Sequence, residues 1–517
     1  MPAEPFAQTM LETGAFQTFP ELIRAAAVAY GDELAVTLTA ETIADDAISF
    51  VDLDTRSAQI ARGLLARGIG KGSRIGFIYG NSPMFAILMA AIARIGAIAI
   101  PISTLIKSNE LVRVLRQSDV QGLIVQPQLL GHDYVARLQE ALPELHAAAS
   151  ADLRVAHVPY LRWIVSAGAH LPTAFRPLSW LTDAADSIGD DLLREAEEAV
   201  HSSDQMVEIY TSGSMALPKG VRHLHGPVMF RAHYIAKMTG RSRGQHVPAI
   251  MPMFWVGGMG MFLLPSLVMG ATTTCTEGTS TSSQHAMGSV LAPEDLAVYA
   301  KSKPHWGLGM SETFGPYSYG DELRANGYPL CAPLDHIAAR YEVRVVDGDN
   351  APVSDGDIGE IQVRGYALTP GLHKLEREDY FTPDGYYRTG DLGLVDGARI
   401  HFVGRDGDMI KTGGSNVSPA EVELEMQQLD GIHNAYVVGI ADAQRGQLVA
   451  AAVVARDGAT LDFKAIEAEL RKRLSSFKVP RAYIELTRAE VPMLPSNKVA
   501  RRVIADMLAA RLSPAKA

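Results

Sequence analysis

From Ser49 onward the apolar positions first follow a helical period: Ile60, Leu64 and Leu65 share one face of a helix that a turn through Gly68, Gly70 and Gly72 brings to an end. RIGFIYG then has the apolar density of a buried strand, a second helix is predicted from Met84 to Ile95, and AIAIPI returns as a β-branched strand. Strands and helices that alternate in this way build a largely parallel sheet with helices on both faces. Past Tyr341 the text becomes strand-rich, with EVRVV, GEIQV and RIHFV separated by the Asp–Gly turns VDGD and VDGA. In the last hundred or so residues AEVELEMQQL and FKAIEAELRKRL read as amphipathic helices and AAAVVA as a buried strand. The expected fold class is α/β: a large N-terminal domain of stacked α/β sheets plus a small β subdomain, followed by a small α+β C-terminal domain. A boundary near Gly404 separates 1–403 from 404–517. GTSTSS, from Gly278 to Ser283, reads as a loop or bridge.

Bulk properties narrow the class. At 517 residues, with 47% apolar and 20% charged positions, the chain has the composition of a folded multidomain protein. A formal charge of -11 opposes a phosphate backbone at long range, so small molecules rather than nucleic acid are the expected partners. Cys275 and Cys331 form no close pair and have no ligand cluster beside them, which predicts neither disulfide framework nor zinc site and fits a cytoplasmic protein. The N-terminus lacks the basic start and apolar run of a secretory leader. Val247 to Thr274 carries no charge and is long enough to span a bilayer. Pro252, Pro265, Gly257, Gly258 and Gly260 interrupt it, so a buried strand and helix are expected there, with no integral membrane span.

The segment richest in chemistry is VEIYTSGSMALPKGV, Val207 to Val221. A strand runs into small hydroxyl and glycine residues and ends in Pro218, Lys219 and Gly220, so backbone N–H groups, hydroxyls and one ammonium can converge on an anion. No Gly-Lys-Ser/Thr ending follows, which separates it from a Walker A loop. The same composition also suits a plain flexible turn. His223 and His225 in RHLHG could suggest a metal pair, but a third ligand is absent nearby and a strand end is expected. No Gly-x-Ser-x-Gly elbow is present, which argues against serine-hydrolase chemistry.

Tyr210 to Val221 resembles the glycine-rich signature of the adenylate-forming superfamily: acyl-CoA synthetases, aryl-CoA ligases, luciferases and peptide-synthetase adenylation domains. Four further stretches match that family in order: GLGMSETFG (Gly307–Gly315), YRTGDLG (Tyr387–Gly393), GRDGDMIKTGGSNVSPAEVE (Gly404–Glu423) and LPSNKVARR (Leu494–Arg502). The resemblance is closest to AMP-forming acyl-CoA synthetases and implies a carboxylic acid, fatty or otherwise apolar, activated with ATP and Mg2+ and passed to CoA. It implies that Thr211, Ser212, Gly213, Ser214 and Lys219 hold phosphates, that Glu312 ligates magnesium with Ser311 near the α-phosphate, and that Asp391 accepts the ribose hydroxyls. Arg405 is implied beside ribose or phosphate, Lys498 as the adenylating lysine, and Gly407 as the pivot of a mobile C-terminal domain. Gly413 and Gly414 are implied where the CoA arm passes, and Trp255, Gly257 and Gly258 where the acid binds.

Several positions depart from the family pattern. Met215 and Ala216 stand where threonine and glycine are common, Leu308 where a tyrosine stacks on adenine, and Trp255 where histidine is frequent. The stretch between Trp255 and Gly309 is markedly short, which is expected to remove strands and expose a sheet edge. A nucleotide- or acyl-binding protein without turnover, and an adenylating enzyme with a carrier-protein acceptor, therefore stand as alternatives.

Overall fold

A computed structural model describes residues 4–168, 170–211, 218–277, 306–320, 330–333, 337–397, 399–405, 410–417, 419–492 and 499–512. Its centre is a seven-stranded sheet with the order Lys219–Leu224, Gln205–Thr211, Ile98–Pro101, Arg74–Ile78, Gly122–Val125, Trp163–Ser166, Phe175–Pro177. All neighbours run parallel except the first pair, which is an antiparallel hairpin. Side chains alternate between two cores, as a sheet covered on both faces requires: Ala99, Ile124 and Val165 enter one cluster, while Ile98, Ile100, Leu123, Val125 and Ile164 enter the other. The expected helices appear as Phe50–Ala66 and Pro83–Ala93. The second is buried along nearly its whole length, with Ser82 capping it by accepting from Phe85 N.

The first cluster is shared with a second sheet of four strands, in the order His246–Pro248, Thr272–Thr276, Leu34–Thr39, Asp46–Ser49. Between His246–Pro248 and Thr272–Thr276 the uncharged stretch folds into short, mostly buried helical turns, one widened to a π-turn at Met259–Leu263. Among the described residues no helix is long and apolar enough to cross a membrane. Among the described residues His246–Pro248 ends the four-stranded sheet and Trp306–Met310 pairs with Gly315–Gly320, while 278–305, where the sequence is short, lie outside the described residues. GTSTSS lies outside the described residues.

The strand-rich part forms a five-stranded antiparallel sheet, Leu330–Pro333, Arg399–Arg405, Tyr387–Asp396, Ile358–Gly365, Tyr341–Val346. A separate C-terminal sheet opens at Ile410–Thr412 and centres on the long pair Ile432–Asp442 and Gly446–Ala455. Helices Pro419–Gln427 and Phe463–Arg473 cover one of its faces and Arg501–Leu512 the other.

Candidate active site

Thr211 and Lys219, which flank the glycine-rich segment, pair across the mouth of the hairpin Gln205–Thr211 and Lys219–Leu224. Ser212, Gly213, Ser214, Met215 and Ala216 lie outside the described residues. Below the mouth, the fully buried carboxylate of Glu208 takes Tyr210 Oη at 2.7 Å, Gln205 Nε2 at 2.9 Å and a salt bridge from Arg74 at 2.5 Å. Burial, with Glu208 beside it, pushes the Tyr210 phenol well above its ordinary pKa, so it stays a neutral donor. This arrangement explains the glycine at 220: a Cβ there would stand 2.8 Å from both Glu208 Oε1 and Tyr210 Oη. The Lys219 ammonium lies 4.5 Å from the centre of the Tyr380 ring.

The second motif segment is tied to this hairpin, and the third is tied to the second. Glu312 sits in a single 3-10 turn, Ser311–Thr313, is 9% exposed, and its Oε1 accepts from Tyr387 Oη at 2.9 Å. It is therefore neither a helix cap nor a solvated surface residue. Thr369 joins it to the hairpin, donating N–H to the Glu312 carbonyl at 2.7 Å and its hydroxyl to the Arg222 carbonyl at 2.8 Å. Behind the turn, Phe314 adopts a left-handed φ of 46° and packs edge-on to the buried His223 ring at 4.8 Å.

Asp391 and Arg405 stand directly opposite each other in the register of adjacent strands. Gly390, at φ 68°, donates to Glu360 Oε1, and Asp391 N donates to Thr389 Oγ1, which together shape the strand at the aspartate. Gly413 and Gly414 form the two-residue turn between Ile410–Thr412 and Ser415–Val417, with φ values of 56° and 81° that a β-carbon disfavours. Trp255 precedes the turn Val256–Gly258. A Cβ on Gly258 would stand 2.1 Å from the Pro252 carbonyl oxygen, and one on Gly257 would stand 2.4 Å from Met251 Cε. Gly407 and Lys498 lie outside the described residues.

The AMP-binding enzyme family model matches residues 23–292, just over half of the chain, and the AMP-binding enzyme C-terminal domain model matches 421–498. The chain belongs to the AMP-binding enzyme family. Feruloyl-CoA synthase of an Amycolatopsis species is 27% identical over 494 residues, 88% of this chain and 92% of that one. Sulfoacetate–CoA ligase of Cupriavidus necator is 26% identical over 507 residues, with 88% and 91% covered. The solved structure of the amide bond synthetase McbA from Marinactinospora thermotolerans matches with a TM-score of 0.71 at 21% identity, covering 95% of this chain and 99% of that one, which speaks for the fold. Within the AMP-binding family this chain is an enzyme of the acyl-CoA ligase group.

The structure pairs Thr211 with Lys219, ties the turn of Ser311 and Glu312 to the hairpin strand at Arg222 through Thr369 and to Tyr387, and sets Asp391 opposite Arg405 in the adjoining sheet. Gly413 and Gly414 belong to the separate C-terminal sheet. The two histidines do not form a metal pair: His223 meets Phe314, whereas His225 Nδ1 accepts from Phe19 N at 3.1 Å. Among the described residues no three metal-ligating side chains cluster. Leu308 is buried with Tyr317 and Tyr341 in the β-subdomain core. Sequence reasoning missed Glu208, Thr369 and Tyr387 as site supports, and also Asn81. The Asn81 amide holds the Ala249 and Met251 carbonyls and Met253 N, and so fixes the approach to Trp255. A buried carboxylate on a strand entering a glycine-rich loop was the one readable signal among them.

Proposed function

We propose that the chain is an AMP-forming acid:CoA ligase. It joins a carboxylate oxygen to the α-phosphorus of ATP with release of pyrophosphate, and then transfers the acyl group from the adenylate to the CoA thiol with release of AMP. The observation that carries this reading is the bonding of Glu312 to the third motif through Tyr387 and to the hairpin through Thr369. Two anions must meet in the first step, so catalysis depends on positioning and charge neutralisation. Thr211, Lys219 and the loop residues Ser212, Gly213 and Ser214 hold the β- and γ-phosphates, Ser311 lies by the α-phosphate, and Asp391 and Arg405 take the ribose side. Lys498 neutralises charge that develops between carboxylate and α-phosphate.

The residues present fit magnesium held mainly by the nucleotide: a single carboxylate, Glu312, oriented by one phenol hydrogen bond, with no three-ligand cluster among the described residues. When bound, the ion withdraws charge from the phosphate oxygens. Trp255, Gly257 and Gly258, with Met251 packed against Gly257, form the wall for an apolar acid, a tail or a ring. We place the domains at 1–403 and 404–517, with Gly407 as pivot and Gly413 and Gly414 beside the CoA arm. The buried free thiol Cys275 suits a reducing cytoplasm.

The test is ATP–pyrophosphate exchange over aromatic, sulfonated and straight-chain acids, followed by AMP release with and without CoA. Acid-dependent exchange and CoA-dependent AMP release are expected, and Lys498→Ala is expected to lower exchange by roughly 10²-fold or more. ATP binding without exchange for any acid would instead establish the second reading, a binding protein without turnover. AMP release indifferent to CoA would point to a carrier-protein acceptor.

A further inference from the structure

Among the described residues no hydrophobic cluster spans the junction between the five-stranded sheet and the C-terminal sheet. The clusters of the large lobe draw on residues up to Ile400, and those of the small lobe begin at Ile410. What does cross between the lobes is charge. Helix Ser108–Gln117 of the large lobe presents Glu110 and Arg113, three residues apart and so on one face. Glu110 Oε1 receives Lys478 Nζ at 2.6 Å, and Lys478 also bonds Glu421 at 2.8 Å. Glu110 Oε2 lies 2.8 Å from the Ser475 hydroxyl, which also reaches the Leu105 carbonyl at 2.7 Å. Arg113 pairs with Glu425 at 2.5 Å, and Arg473 stands 3.9 Å from the other oxygen of that carboxylate. The Lys478, Glu110 and Glu421 side chains are 12%, 5% and 9% exposed, and Glu425 is 2% exposed.

This pattern is polar in two senses. Three carboxylates face three cations, so the closed contact is balanced. The signs also alternate across it: minus on plus at Glu110–Lys478, plus on minus at Arg113–Glu425. A shift that set Glu110 against Glu425 would bury like charges together, so only one orientation of the lobes is satisfied. A buried ion pair broken on one side is costly, whereas full separation returns every group to water without uncovering either apolar core. Such a contact is either closed or open.

The face in use identifies the step it serves. Along Gly446–Ala455, Val449, Ala451 and Val453 enter one cluster while Ala450, Ala452 and Val454 enter the other, so the clusters lie on opposite faces of one sheet. Glu421 and Glu425 belong to helix Pro419–Gln427 on the first face. Val491 and Val499, which flank the segment that holds Lys498, pack on the second. The large lobe is therefore gripped from the side of the sheet away from those flanks.

We infer that Glu110, Arg113, Ser475, Lys478, Glu421 and Glu425 form an ionic latch that holds the small lobe in the orientation for acyl transfer to CoA and must open for the Lys498-dependent adenylation step. The inference rests on the proposed two-step reaction for its assignment to a step, and on geometry alone for the latch.

Two variants on the large-lobe helix, outside the catalytic machinery, test it: Glu110→Gln, which keeps the cap contact to Lys107 N, and Arg113→Glu, which sets like charges together. Hydrogen exchange of 108–117 and 419–427 in the full chain is expected to rise in Arg113→Glu and in wild type at high salt. Pyrophosphate exchange is expected to stay within about twofold of wild type or rise, while acyl transfer from preformed adenylate to CoA falls roughly tenfold. Unchanged hydrogen exchange in both variants would overturn the latch. A rise in hydrogen exchange with both half-reactions unchanged, with both reduced in parallel, or with pyrophosphate exchange alone reduced would overturn its assignment to the transfer step. Raised hydrogen exchange in a chain that activates no acid would retain the latch and sink the ligase reading instead.

Discussion

The contact between Glu312 and Tyr387 ties the magnesium assignment to a single hydrogen bond. Tyr387 Oη orients one carboxylate oxygen, and partners of this kind usually matter by 10- to 100-fold in metal affinity or activity. Tyr387→Phe is therefore expected to lower adenylate formation by roughly 10-fold and to raise the magnesium concentration needed for half-maximal rate, with the circular dichroism spectrum unchanged. A wild-type magnesium dependence in that variant would remove Tyr387 from the site. Glu312 and Thr211 were legible in the sequence as candidates, and Thr369 bonds the turn that carries the first to the hairpin that carries the second. Tyr387 and Thr369 were not legible there, because a phenol or hydroxyl acts here only through a neighbour far away in sequence. Leu308 shows the reverse: its type was noticed, but its burial beside Tyr341 came only with the packing.

Turns and close approaches dominate the scale of elements. Gly413 and Gly414 share a two-residue turn at positive φ, a conformation that costs a β-branched residue roughly 1–2 kcal/mol and asparagine far less. Gly414→Asn is accordingly expected to fold with a near wild-type thermal midpoint. If the CoA arm passes this backbone, CoA-dependent transfer falls while pyrophosphate exchange persists. Equal transfer rates in Asn and Gly enzymes would leave the turn a purely conformational role. Gly258 is a different case, because its pro-Cβ direction points into the Pro252 carbonyl. Gly258→Ala is expected to destabilise the large lobe by on the order of 1–3 kcal/mol, seen as a lower denaturant midpoint. The alternation of strands and helices between Ser49 and Pro101 was legible because period and length both speak locally. The split of Val247–Thr274 into short turns was indicated only by its prolines and glycines.

At the scale of the whole molecule, burial sets a pH dependence. His223 and His225 are fully buried, and that burial holds both pKa values down to about 3 from the ordinary 6.5. Below pH 6.5 the unfolded chain binds protons that the folded chain refuses, so stability is complete above that pH and falls as pH drops toward 3. Each histidine is expected to contribute on the order of 2 kcal/mol of loss between pH 6.5 and 5. Denaturant midpoints of the large lobe at pH 7 and pH 5 measure this, and His225→Asn should show a smaller drop than wild type. A drop of equal size in both would show that His225 does not carry the effect.

By itself the sequence determined the α/β class and the order of the elements and named the candidate site residues, because helical and strand periods and motif spacings are local properties of the chain. Tertiary structure alone decided which partners orient those residues, as with Tyr387 on Glu312 and Glu208 beneath the hairpin, and which charges meet between the lobes, as with Glu110 and Lys478. These are contacts between positions tens to hundreds of residues apart. Nothing in a local pattern specifies them; they arise when the cores close and leave each buried polar group with only its packed neighbours to satisfy it.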